Sequence, residues 1–265
     1  MSILVEIAKE LRQARETGSP VAPLAGRWGE LSLRDAYRVQ RVVAAPTADE
    51  AWAHIDRLPV LGFKLGMTSR AKMQQMGVHR PIYGLLPHGL SIDDRGEVSR
   101  SSRIHPRVEP ELALVLDGPV FTSMSLHDAW RNVGYACAAI ELLDSRFADF
   151  KFGLTDVVAD NTSASGYVLG NRRMSLQKLD VGNLGVVFER NGRVIETAST
   201  AATLDHPANA FAALLSMLAE HGVGCIPEGS VILTGGLTNA HPVFAGDHIR
   251  MSLEQLGPVE LHVTV

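Results

Sequence analysis

Residues 105–116 read H-P-R-V-E-P-E-L-A-L-V-L. The apolar second half has the composition of a β-strand, and Glu109 and Glu111 stand where that strand begins. In extended backbone, positions i and i+2 point to the same side. The two carboxylates therefore share a face and repel each other unless a cation joins them. A third acid, Glu141, lies in the apolar run Y-A-C-A-A-I-E-L-L-D at 135–144, where an unpaired charge is costly. Three carboxylates offer hard oxygen ligands that suit Mg²⁺ or Mn²⁺. A metal-assisted enzyme is the leading expectation. The plainer alternative, a solvated strand face, is weakened by the apolar residues that follow each acid.

Working outward from this strand, the N-terminal side looks helical. Residues 2–15 place Ile3, Ile7 and Leu11 on one face of an amphipathic helix. A second helix is expected from near Ser32, a candidate cap, through D-A-Y-R-V-Q-R-V-V. The stretch A-P-T-A-D-E-A-W-A-H-I-D-R-L-P fits no single pattern. From Leu61 the texture changes. L-G-F-K-L-G-M alternates, with Leu61, Phe63, Leu65 and Met67 on one face and Gly62, Lys64 and Gly66 on the other. A short helix follows, with Thr68 or Ser69 as cap and Gly77 at its end. S-L-H-D-A-W begins as a helix capped by Ser125. Asn191-Gly192 between two apolar runs signals a hairpin. H-P-A-N-A-F-A-A-L-L-S-M-L-A-E-H-G is the clearest helix, and three strands close the chain. No regular β-α repeat runs through these elements. The expected fold is α+β: a helical N-terminal segment over residues 1–60 and a mixed, β-rich catalytic domain over 61–265.

Composition narrows the partners. A chain of 265 residues with 46% hydrophobic content can bury a sizeable core. A net charge of -4 and scattered basic residues give no reason to expect nucleic acid or an anionic membrane. No stretch approaches the length of a bilayer span, and the N-terminus lacks the uncharged core of a signal peptide; a cytoplasmic protein is expected. Cys137 and Cys225 stand alone among apolar residues and read as reduced, buried thiols.

Other segments hold candidate site residues. Lys64 has only glycines beside it on its strand face, which permits close approach of a ligand; an edge lysine in water is the alternative. V-V-A-D-N-T-S-A-S-G-Y-V-L-G at 157–170 reads equally as the lining of a polar pocket or as a plain loop. Thr234-Gly235-Gly236 follows a strand, so its amides face either an anion or simply a tight turn. His105, before Pro106, reads as structural. No H-E-x-x-H, Walker A loop or G-x-S-x-G elbow is present.

Five segments together resemble a known family. They are 62–84 (G-F-K-L-G-M-T-S-R-A-K-M-Q-Q-M-G-V-H-R-P-I-Y-G), 105–116, 139–152 (A-I-E-L-L-D-S-R-F-A-D-F-K-F), 158–166 (V-A-D-N-T-S-A-S-G) and 234–247 (T-G-G-L-T-N-A-H-P-V-F-A-G-D). In this order they are similar to the hydratase/decarboxylase branch of the fumarylacetoacetate hydrolase superfamily. The resemblance implies a roll or barrel-like catalytic domain of that type. It places Mg²⁺, with Mn²⁺ as the alternative, on Glu109, Glu111 and Glu141. Three glutamates and Mg²⁺ sum to -1 and the implied substrate is a dianion, so a further cation is expected; Lys64 is the candidate that meets substrate and acts in catalysis, with Ser163 and Thr234 as candidates to hold substrate oxygens. Hydratases of the branch typically carry Pro-Asp before Tyr-Gly; here the chain reads Pro81-Ile82-Tyr83-Gly84, as in the decarboxylases. An apolar Ile82 beside a leaving carboxylate favours neutral CO₂. The implied reaction is loss of CO₂ from 2-oxo-3-hexenedioate, a small 2-oxo dicarboxylate, in meta-cleavage degradation of aromatics. The alternatives are 2-hydroxypenta-2,4-dienoate hydration and a silent partner subunit. The pathway hydratase is an implied partner, and a homo-oligomer is implied.

Overall fold

The strand expected over E-L-A-L-V-L-D at 111–117 begins earlier, at Arg107, so both glutamates lie within it rather than at its mouth. The computed structural model describes residues 3–44, 60–75 and 77–265; the ambiguous stretch 45–59 lies outside the described residues. In chain order the elements are helices α1 (Ile3–Thr17), α2 (Ala25–Trp28) and α3 (Leu33–Ala44), strand β1 (Val60–Gly66), helix α4 (Arg70–Gln75), and strands β2 (Ile82–Pro87), β3 (Ser91–Ile92), β4 (Gly96–Ser99), β5 (Arg107–Leu116) and β6 (Val120–Phe121). Then come α5 (Leu126–Trp130), β7 (Val133–Leu143), α6 (Leu154–Ala159), β8 (Ala164–Leu169), the hairpin β9 (Gly185–Arg190) and β10 (Arg193–Ser199), α7 (Pro207–Glu220), β11 (Cys225–Ile226), β12 (Val231–Leu233), β13 (His241–Pro242), β14 (His248–Leu253) and β15 (Gly257–Thr264).

Local chemistry explains several boundaries. Ser32 Oγ accepts the Asp35 N–H at 3.1 Å and so caps α3. Ser125 does the same for Asp128 at α5, also at 3.1 Å. Asn191 and Gly192 take φ of +53° and +73° between β9 and β10, the backbone that a two-residue hairpin requires. Helix α1 buries Leu4, Ile7, Ala8 and Leu11, whereas Ile3 is half exposed.

The main sheet runs in the order β2-β1-β12-β5-β7-β8-β3, with β13 also paired to β5. Neighbours are antiparallel except at β1/β12 and β3/β8. A second sheet, β10-β9-β14-β15-β4, packs its apolar side on β7, where Ala136 and Ala138 leave room for close approach. The period of two along β5 sorts its side chains. Val108, Leu112, Leu114 and Leu116 join the large outer core, which also contains Leu4, Ile7 and Leu11 of α1 and Tyr37 and Val39 of α3. Each such fully buried aliphatic side chain contributes roughly 1.5–3 kcal/mol. Ala113 and Val115, on the opposite face, belong to a small separate cluster with Leu86, Cys137, Ala139, Val231 and Leu233.

That small cluster is the floor of a curled sheet. Strands β1 and β7 are three places apart, roughly 14 Å in a flat sheet. Yet Lys64 of β1 and Glu141 of β7 meet at 3.0 Å, so the sheet must wrap into a half-barrel with these side chains inside. The open seam is bridged by Asn161, whose amide donates to Leu85 O and accepts from Leu85 N, both at 2.8 Å. It stands in for a strand beside β2. Among the described residues no helix is long and apolar enough to cross a membrane.

Candidate active site

Register brings the three acids together. Glu109 of β5 lies directly opposite Glu141 of β7, and Glu111 lies one step along the same face. Oxygens of all three approach within 4.8 Å of one another. Glu111 and Glu141 are fully buried and Glu109 is 7% exposed. The backbone fits around them. Gly235 N donates to Glu111 Oε2 at 2.7 Å. At Gly236 a Cβ would fall 2.1 Å from Glu109 Oε2, so a side chain there would displace this carboxylate from its place. The amide of Gly235 thus serves a protein carboxylate.

Lys64 stands on the same inner face, with Gly84 opposite it on β2. A Cβ at Gly84 would fall 3.0 Å from Lys64 Cδ and 2.2 Å from Thr162 Oγ1, so the missing side chain makes space for the lysine stem. Lys64 Nζ lies 3.0 Å from Glu141 Oε1 and donates to Thr162 O at 3.2 Å. The first contact is an ion pair rather than an aligned hydrogen bond: neither Glu141 oxygen, nor Glu111 Oε1, has a hydrogen-bond partner among the described residues. Buried acceptors without donors are rare and costly.

Electrostatics point the same way. Burial raises the Glu111 pKa well above the usual carboxylate range, and the Glu141 charge adds to it; Lys64 opposes both. Glu141 is raised too, again chiefly by burial, with Lys64 pulling it back. Three carboxylates against one ammonium leave two negative charges uncompensated. A divalent cation cancels them, uses the orphaned oxygens and inverts the local pKa logic. Hard oxygen ligands in this number suit Mg²⁺ and leave coordination positions for substrate and water. The donor set fits the metal.

The remaining candidates are distributed around this centre. Ile82 is buried, pairs across from Gly66 and packs with the outer core that holds Tyr37 and Tyr83; no contact joins it to the three acids or to Lys64 among the described residues. Ser163 and Thr234 are buried, but their hydroxyls are engaged. Ser163 Oγ donates to Asp160 Oδ2 at 3.3 Å, and Thr234 Oγ1 donates to Leu112 O at 2.9 Å. Thr162, between Asn161 and Ser163, has a buried hydroxyl with no hydrogen-bond partner among the described residues. His105 lies against Phe150, ring centroids 4.6 Å apart, and its amide donates to Asp144. Asn161, Gly84 and the buried Arg146–Asp160 pair carried no sequence signal beyond membership of a polar or glycine-containing segment. Only the curled sheet shows what they do.

The fold and the site define a class that comparison with known proteins confirms. The family model for the C-terminal part of fumarylacetoacetate (FAA) hydrolase matches residues 62–264. The chain belongs to the fumarylacetoacetate hydrolase family. It is 37% identical to a 4-oxalocrotonate decarboxylase of Pseudomonas putida over 97% of this chain and 95% of that protein. The solved structure of 4-oxalocrotonate decarboxylase from Pseudomonas putida G7, complexed with magnesium and adipate, superposes with a TM-score of 0.90 at 37% identity, covering 98% of this chain and 97% of that one. A 2-keto-4-pentenoate hydratase of Paraburkholderia xenovorans is 32% identical over 96% of this chain and 92% of that protein. These likenesses place the chain among family enzymes of the carboxy-lyase type.

Proposed function

We propose that the protein catalyses Mg²⁺-dependent decarboxylation of 2-oxo-3-hexenedioate to 2-hydroxypenta-2,4-dienoate and CO₂, a step of meta-cleavage degradation of aromatics. The observation that carries this reading is the buried meeting of three carboxylates with Lys64 on one barrel face; the choice of decarboxylation over hydration rests on the resemblance at Pro81-Ile82-Tyr83-Gly84. Glu109, Glu111 and Glu141 are the residues that hold the metal. When bound, Mg²⁺ supplies a Lewis acid for the 2-oxo acid end of the substrate.

The substrate is a dianion and its distal carboxylate is vinylogous to the C2 carbonyl. Breaking C5–C6 releases neutral CO₂. The bonding pair passes through C3=C4 onto the C2 oxygen, which takes a proton to give the dienol. Lys64 brings a fixed positive charge to a site whose own acids would repel the substrate. Ile82 gives the leaving group an apolar neighbour and offers no carboxylate to activate water. Ser163 and Thr234, already bonded to Asp160 and Leu112, reach substrate oxygens only by exchanging those partners.

Likeness to a hydratase keeps one rival in view: water addition to the dienol at the same metal centre. Incubation with each substrate, following CO₂, separates the two. Ile82→Asp should cut decarboxylation by about tenfold or more, since it puts a charge where CO₂ must form; unchanged CO₂ release would make Ile82 a bystander. The proposal extends to a homo-oligomer that associates with the pathway hydratase, which light scattering of the protein with and without that enzyme checks.

A further inference from the structure

Residues 161–163 turn the chain through left-handed backbone without a glycine. The φ angles are +50° at Asn161, +51° at Thr162 and +60° at Ser163. Non-glycine residues visit this region singly and at a cost; three in succession persist only where the surroundings over-determine them. Thr162 carries a second cost, a buried hydroxyl without a hydrogen-bond partner.

Two sets of contacts hold the turn. Above it, the Asn161 amide is locked to the backbone of Leu85 by its two bonds to β2. Below it, Ser163 N donates to Asp160 O at 3.0 Å and Asp144 N donates to Ser163 O at 2.8 Å. The fully buried Arg146 guanidinium bonds both the carboxylate and the carbonyl of Asp160, and reaches Asp144 O at 2.7 Å. What the turn delivers is one group: the Thr162 carbonyl that accepts from Lys64 Nζ at 3.2 Å.

We propose that Asn161 is a positioning residue for Lys64. Its side chain pins the left-handed turn to β2, and the turn presents the Thr162 carbonyl as a fixed stop for the ammonium over Glu141. A lysine has three donors on a flexible stem. The Thr162 carbonyl engages one of them, the Glu141 charge holds the ammonium on its other side, and the remaining donors are aimed at the substrate. The role assigned to Lys64 rests on the function proposed above; the geometry that fixes it does not.

Asn161→Gly keeps the left-handed backbone accessible and deletes both bonds to Leu85. Asn161→Asp keeps the acceptor for Leu85 N and loses the donor, and it also serves if the glycine variant does not fold. A crystal structure of either variant should show Lys64 Nζ outside hydrogen-bond distance of the residue 162 carbonyl, with Glu109, Glu111 and Glu141 still converging. Turnover should fall on the order of a hundredfold for glycine, the effect of about 1 Å of misplacement, and less for aspartate. Calorimetric binding of 2-oxoadipate with Mg²⁺ should weaken in Asn161→Gly but not further when Lys64→Ala is already present. An unmoved Lys64, or equal losses in both backgrounds, would overturn the proposal. If the parent enzyme releases no CO₂ from 2-oxo-3-hexenedioate, the function fails instead, and the crystal structure still decides the positioning.

Discussion

Gly236 has no room for a side chain because Glu109 occupies the place where its Cβ would stand. Gly236→Ala must therefore push the carboxylate away from Glu111 and Glu141. Mg²⁺ affinity should drop by about tenfold or more, read by calorimetry, while the fold survives; unchanged affinity would remove Glu109 from the metal set. Glu111→Gln tests the neighbouring acid in a different way. The Glu111 pKa is raised by burial first and by the Glu141 charge next, so the folded protein binds a proton there more readily than the unfolded chain. A raised carboxyl contributes stability that is full below its ordinary pKa and is lost as pH rises through the raised value. In EDTA, Glu111→Gln should melt higher than the parent at about pH 8, and the gap should close toward about pH 4. No gap at pH 8 would mean that Glu111 bears no electrostatic burden. The two acids were legible in the sequence because a period of two is rigid in a strand. Their convergence with Glu141 was not, since it depends on which strand pairs with β5. Lys64 was visible only as a lysine among glycines, and the partner that fixes it is a backbone carbonyl nearly a hundred residues away.

At the scale of elements, capping and turn chemistry read well and seam chemistry did not. Ser32, Ser125 and Asn191-Gly192 act locally, through bonds to residues a few positions away, so their signals survive in the sequence. Ser32→Ala should cost about 1 kcal/mol and lower the melting temperature by a few degrees without altering Mg²⁺ affinity. A loss of metal binding would show that α3 supports the site more directly than its packing indicates. By contrast, β2 and β8 gave no clear strand signal. Both are buried over nearly their whole length, so alternation is absent, and β8 opens with small polar residues that also suit a loop. The Asn161 turn joins them through a side chain that imitates a strand, which no periodicity can announce.

For the whole molecule, the helical N-terminal region and the β-rich remainder are distinct in texture but share one outer core, so the helices brace the outside of the sheet whose inside holds the acids. This layering explains why the acids are buried, and why their charges depend on a cation. Protons and Mg²⁺ compete for Glu111 and Glu141, both raised in pKa. The thermal stabilisation given by Mg²⁺ should therefore be largest near neutral pH and shrink as pH falls; stabilisation independent of pH would place the metal elsewhere. The most direct measurement is CO₂ release from 2-oxo-3-hexenedioate by the purified protein with Mg²⁺, with EDTA, and as the Glu111→Gln variant. CO₂ should appear in step with 2-hydroxypenta-2,4-dienoate only for the Mg²⁺-loaded parent. Full CO₂ release in EDTA, or consumption of the dienol by water addition with no CO₂ from the dicarboxylate, would contradict the assignment.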